Sequence, residues 1–178
     1  HTGYVYVSNQ NDGTVTVLAG LQVVTTLTGG GGHIAVNPIT GYVYVRGNGV
    51  TIIAGKTIVG DIPGTDESGD IAVNPVTGYV YVPRAGQFTV TIISGTQEIT
   101  TTALNLGGGA NRVGVNPVTG YVYLADELND DVAVMQSTAV ITYLTVGNGP
   151  LGMAINPTTG YVYIAAQFDH NLTIISGT

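Results

Sequence analysis

The 178-residue chain contains no cysteine and no tryptophan, and its only basic residues are Arg46, Lys56, Arg84 and Arg112. The lack of cysteine removes disulfides, thiol catalysis and Cys-ligated zinc, and leaves the redox compartment open. Four cations against eleven acids give a formal charge of -7. So few cations cannot neutralise a phosphate backbone, which argues against a nucleic-acid partner. No apolar run approaches the roughly 18 residues of a membrane helix, so a membrane-spanning chain is not expected. No Lys- or Arg-led signal segment opens the sequence. It begins on His1 rather than Met, as a processed or incomplete chain would. Helices are not expected, because every stretch of about ten residues with a helical apolar stripe is broken by Gly or Pro. What is present is 44% hydrophobic residues, 27 Gly and 11 Tyr in a chain that is only 8% charged. That richness in Val, Ile and Tyr excludes a disordered acidic tail.

The pentapeptide Thr-Gly-Tyr-Val-Tyr occurs five times, with its glycine at Gly3, Gly41, Gly78, Gly120 and Gly160. Successive copies are 38, 37, 42 and 40 residues apart, and four of them follow Asn-Pro at Asn37, Asn74, Asn116 and Asn156. A fixed period of this size marks a repeat architecture. The boundaries fall near 1–32, 33–69, 70–111, 112–150 and 151–178, within a single domain 1–178. Each unit reads as four short β-branched or aromatic strands punctuated by Gly, Pro, Asn and Asp. In the second unit these are Ile34–Val36, Tyr42–Val45, Val50–Ile53 and Thr57–Ile62. Asn-Pro-x-Thr-Gly between the first two is turn chemistry. Pro presets φ, Asn folds back onto the backbone, and Gly supplies the positive φ needed to enter the next strand. Tyr-Val-Tyr-Val places two Tyr on one face of a strand and two Val on the other. Both faces are then apolar, as in a sheet covered on both sides. The Tyr pairs read as packing between sheets, with their hydroxyls on backbone or water.

A period near 40 residues with four strands per unit indicates an all-β, β-propeller-like array of antiparallel blades. The sequence resembles the YVTN-type propeller repeats of microbial surface and secreted proteins. The matching pieces are Met153-Ala154-Ile155-Asn156-Pro157, Tyr121-Val122-Tyr123, Val132-Ala133-Val134 and Thr145-Val146-Gly147-Asn148-Gly149-Pro150. The resemblance covers essentially the whole chain and implies an extracellular or cell-surface structural or adhesion role. The strand count departs from a closed ring. The chain opens with the last three strands of one blade, continues through three full blades, and ends with the first three strands of a fifth. That makes 18 strands where five complete blades need 20. The array is therefore expected to be a fragment of a longer one, an imperfect ring, or a unit whose neighbours cover its open edges. Unpaired strand edges template association with another chain. The expected self-assembly edges are Tyr4, Val5, Tyr6 and Val7 at one end and Leu172, Thr173, Ile174 and Ile175 at the other, with copies of this chain as partners. A head-to-tail contact that does not close makes a fibre.

Candidate chemistry is sparse. His1, His33 and His170 sit at unlike positions in different units, so no two have metal-ligand spacing on one element. No Ser lies in Gly-x-Ser-x-Gly, and no carboxylate pair recurs at equivalent blade positions. The runs Gly29–Gly32 and Gly107–Gly109 precede strands, so they lack the helix N-terminus of a phosphate cradle. Two acidic clusters offer the closely spaced oxygens that Ca²⁺ requires: Asp66 with Asp70, and Asp126, Asn129, Asp130 and Asp131. A solvated loop is the plainer reading of each. Asn9, Asn11 and Asp12 form a weaker third group. Asn171-Leu172-Thr173 is an N-glycosylation sequon, and Thr100–Thr102 offers O-glycan acceptors. No cofactor other than Ca²⁺ is indicated. A non-enzymatic, self-assembling structural repeat protein is the leading expectation. A propeller module binding a glycan or surface protein comes second, and a lyase or glycosidase third, because no convergent catalytic set can be assembled.

Overall fold

The computed structural model describes residues 3–64 and 69–176. They form five antiparallel sheets. The first holds β1 (Tyr4–Asn9), β2 (Thr14–Ala19) and β3 (Gln22–Thr28). The second holds β4 (Ile34–Val36), β5 (Val43–Arg46), β6 (Gly49–Ala54) and β7 (Thr57–Pro63). The third holds β8 (Ala72–Val73), β9 (Val80–Arg84), β10 (Thr89–Ser94) and β11 (Gln97–Ala103). The fourth holds β12 (Arg112–Val115), β13 (Val122–Asp126), β14 (Asp131–Gln136) and β15 (Ala139–Thr145). The last holds β16 (Pro150–Ile155), β17 (Val162–Ala166) and β18 (Asn171–Ile175). Spatial order equals chain order in every sheet. The 18 strands, their distribution and their antiparallel pairing are those the repeat implied. One helical turn, Ala85–Gln87, lies between β9 and β10 of the third sheet, where the repeat implies none.

The repeated turn forms as its chemistry dictates. Asn37 Oδ1 accepts from the amides of Ile39 (2.9 Å) and Thr40 (3.2 Å), and the Gly41 amide closes onto the Asn37 carbonyl at 2.9 Å. Gly41 adopts φ 73°, and Thr40 Oγ1 accepts from the Tyr42 amide at 3.2 Å. Asn74, Asn116 and Asn156 repeat the arrangement. Each outer strand carries one additional residue opposite the same place in its partner. The register shifts at Val17/Leu18, Ile52/Ile53, Ile92/Ile93 and Val134/Met135. Such bulges increase the local twist.

The strands that begin the four later sheets lie beside one another, β4 by β8, β8 by β12 and β12 by β16. The sheets therefore fan out from these short inner strands. Small residues line this convergence: Ala35, Ala72, Gly114 and Ala154. A Cβ on Gly114 would stand 2.6 Å from the Met153 sulfur, so the thioether of the fifth sheet fills a notch in the fourth.

The core is not one body but four seams between sheets. The first joins Val15 to Val43, Val45 and Ile53. The second joins Tyr44, Val50 and Ile52 to Val80, Val82 and Ile93. The third joins Tyr81, Val90 and Ile92 to Val122, Leu124 and Met135. The fourth joins Tyr123, Val132 and Val134 to Val162 and Ile164. In the second, third and fourth sheets both Tyr of the motif thus face the following sheet and both Val-type positions face the preceding one. Each fully buried Val or Ile contributes about 1.5–3 kcal/mol. Among the described residues no apolar cluster joins the fifth sheet to the first, so the sheets form an open arc.

Candidate functional site

Within each seam a few polar groups fix how one sheet sits on the next. The Oδ1 of each Asn-Pro asparagine serves its own turn. Its amide reaches outward: Asn37 Nδ2 donates to the Gly78 carbonyl (2.9 Å), Asn74 to Gly120 (3.0 Å) and Asn116 to Gly160 (2.7 Å). In the first three sheets the second tyrosine of the motif donates to a hairpin carbonyl of the next sheet. Tyr6 bonds Gly55 (2.8 Å), Tyr44 bonds Gly95 (2.9 Å) and Tyr81 bonds Ser137 (2.9 Å). Burial raises the hydroxyl pKa of Tyr44 and Tyr123 and pushes that of Tyr81 up to about 12. Desolvation disfavours the phenolate, so these groups remain donors. Arg46 is fully buried, and its Nη1 bonds the carbonyls of Asp70 (2.8 Å) and Pro83 (3.0 Å) in the third sheet. Arg112 Nε bonds the Leu151 carbonyl at 3.1 Å. The sequence had offered tyrosine hydroxyls on backbone. It did not reveal the outward asparagine amides, because an Asn before Pro already has a sufficient local explanation.

The two ends of the arc present these same surfaces uncovered. Val43, Val80, Val122 and Val162 are at most 1% exposed, whereas the equivalent Val5 is 52% exposed and Val7 is 43% exposed. At the other end Leu172 and Ile174 are 56% and 57% exposed, where the equivalent Val90 and Ile92 are fully buried. Among the described residues β1 pairs only with β2, and β18 only with β17, so both are edge strands. Of the residues expected at the edges, Val5, Val7, Leu172 and Ile174 point outward. Tyr6 instead bonds the second sheet, and Ile175 packs into the fourth seam. Tyr4 lies edge-on to Tyr6 with ring centroids 6.5 Å apart, and Thr173 is half-buried.

The acidic clusters are organised by internal donors. Asp126 is fully buried and accepts from the amides of Gly108 and Leu128 and from Asn129 Nδ2, each at 2.9 Å. Asp130, at φ 60°, accepts from the Gly149 amide, and Asp131 accepts from Thr145 Oγ1, both at 2.9 Å. Asp70 accepts from the Ile71 amide at 2.9 Å and faces His33 Nδ1 at 3.3 Å. Asp66 lies outside the described residues, as does His1. Among the described residues no three His, Asp or Glu side chains converge on one point. Asn171 is exposed at the start of β18. His170 Nδ1 lies 3.0 Å from the Phe168 carbonyl oxygen.

Two clefts follow the seams. One of about 430 Å³ lies between the fourth and fifth sheets, lined by Asp70, Arg112, Val113, Leu151 and Met153. The other, of about 520 Å³, lies between the first and second sheets, lined by Tyr4, Tyr6, Pro38, Ile39 and Tyr42. Among the described residues neither is lined by a nucleophile, a base and an orienting group as in acyl transfer, or by a pair of carboxylates as in glycoside hydrolysis.

No family model matches the chain, and no curated protein matches it. Solved structures do. The dihydro-heme d1 dehydrogenase NirN in complex with DHE superposes with a TM-score of 0.83 at 15% identity, over 99% of this chain and 43% of that one. The fold is a β-propeller arc. Streptogramin B lyase matches with a TM-score of 0.77 at 10% identity, over 98% of this chain and 65% of that one. A functionally unknown protein from Desulfotomaculum acetoxidans matches at 0.75 and 12% identity, over 97% and 65%. The chain thus spans between two fifths and two thirds of the length of these matched chains. Identities this low carry the fold and nothing of the activities, since propellers host unrelated functions. No helix among the described residues is long and apolar enough to cross a membrane.

Proposed function

We propose that this chain is a non-enzymatic structural repeat protein that associates with copies of itself through its terminal blades, outside the cell or at the cell surface. The observation that carries the reading is the exposure of interface positions at both ends. Val5 and Ile174 stand in solvent where their equivalents in the other blades are buried. A contiguous apolar sheet face in water marks an interaction surface. An edge strand beside it supplies unpaired backbone groups. The surface location is supported by the Tyr-Val-Tyr and Asn-Pro motifs, which resemble YVTN-type repeats. The exposed sequon at Asn171 is compatible with decoration there, and intact-mass measurement of native material reports its occupancy.

The test is sedimentation velocity and light scattering over a hundredfold range of concentration. The unmodified chain is expected to grow in mass with concentration. Leu172→Asp with Ile174→Asp is expected to remain monomeric with an unchanged β-sheet spectrum. A wild-type chain that stays a monodisperse monomer throughout sinks the proposal.

A further inference from the structure

The side-chain hydrogen bonds that cross the seams have a direction. Asn37, Asn74, Asn116, Tyr6, Tyr44 and Tyr81 all donate from one blade to a carbonyl of the following blade. Arg46 and Arg112 do the same. Among the described residues no side-chain bond between strands of adjacent blades runs the other way. The cause is chemical. The asparagine spends its oxygen on its own turn, so only its NH₂ is left to face forward, and an amide NH₂ is a donor alone. The backward surface offers turn carbonyls, which are acceptors alone. Every blade therefore has a donor face in front and an acceptor face behind.

The ends of the arc inherit this polarity. At the front, Asn156 Oδ1 accepts from the amides of Thr158 and Thr159 at 2.9 and 3.1 Å, in the same turn as its equivalents. Its Nδ2 and the Tyr163 hydroxyl occupy the donor positions. At the back, Gly3 and Gly20 stand where Gly78 and Gly95 receive such bonds. Gly3 is exposed, whereas the equivalent bonded Gly78 and Gly160 are buried, and Gly20 is exposed where the bonded Gly55 and Gly95 are half-buried.

We propose that the partner of this surface is the opposite end of a second copy, bound so that Asn156 Nδ2 and Tyr163 Oη donate to its Gly3 and Gly20 carbonyls. The inference rests on the self-association proposed above and specifies its geometry. A two-fold contact would set donors against donors or carbonyls against carbonyls, leaving polar groups unpaired at a desolvated seam. The contact is heterologous. Two arcs joined this way present ten blades, more than the roughly four to eight that a closed propeller holds. The array then runs on as a fibre.

The absence of cysteine makes the test clean. Val5→Cys and Ile174→Cys are made in the 178-residue chain, singly and together, and air-oxidised at a concentration where the wild type associates. The double variant is expected to give a ladder of covalent dimers, trimers and larger species, and each single variant a monomer band. Asn156→Asp keeps the acceptor that its turn needs and removes the donor, and Tyr163→Phe removes only the hydroxyl. Each is expected to weaken association on the order of tenfold, with the thermal melt of the dilute chain unchanged. Covalent dimers from either single-cysteine variant would overturn the polarity. Association unaffected by Asn156→Asp with Tyr163→Phe would overturn the hydrogen bonds. In both of those outcomes the wild type still associates, so the wider reading survives. A wild type that does not associate defeats both.

Discussion

A phenol hydroxyl shut between two sheets has to donate its proton to something, and Tyr81 donates to the Ser137 carbonyl. Burial holds that hydroxyl neutral, raising its pKa from 10.0 to about 12. An unfolded chain would ionise it near the lower value. The stabilisation is therefore complete below pH 10 and is lost as pH climbs from 10 towards 12, because there the unfolded state releases a proton that the folded state retains. Tyr44 and Tyr123 shift in the same direction and add to the slope. Tyr81→Phe is expected to lower stability by about 1 kcal/mol at pH 8. It should also flatten the alkaline decline, as read from urea midpoints at pH 8 and pH 11.

At the scale of the element, one strand motif appears in five contexts and its energetics follow the context. Val122 is fully buried against the third blade, whereas the equivalent Val5 is 52% exposed. Val122→Ala is expected to cost about 2 kcal/mol through lost burial and a cavity. Val5→Ala should change the dilute chain by less than about 0.5 kcal/mol. Chemical denaturation of the two variants side by side checks this. The comparison also shows why the strands were legible from sequence. Asn-Pro-x-Thr-Gly is sufficient to fix a turn, and Tyr-Val-Tyr is two-sided wherever it occurs, so strand count, order and seam residues all follow. The turn at Ala85–Gln87 was not legible, because it depends on Phe88 adopting φ 53°, which no local residue preference announces. The donors around Asp126 were hidden for a related reason. Spacing alone gives oxygen density, but not that the nearest donors are the backbone amides of Gly108 and Leu128. The direction of the asparagine amides was hidden too, since it appears only when neighbouring blades are placed together.

For the whole molecule, stacking in a row means that each blade is stabilised mainly by its immediate neighbours. The third blade is covered on both sides, and the first and fifth on one. Amide hydrogen exchange in dilute solution should therefore be slowest in β9 and β10 and faster in β1, β2, β17 and β18. Local opening free energies follow the number of packed faces. Raising the concentration should protect the terminal strands selectively. Exchange that is uniform along the chain would mean the arc opens as one cooperative unit.

The notch at Gly114 bears on how a sequence this repetitive keeps its own order. Only the fourth blade has glycine at that inner position, and only the fifth brings a methionine to meet it. Were blade five to dock on blade two or three, its thioether would meet the methyl of Ala35 or Ala72 instead. The modules are therefore not interchangeable, and gene rearrangements that shuffle them would produce arcs with one ill-fitting joint.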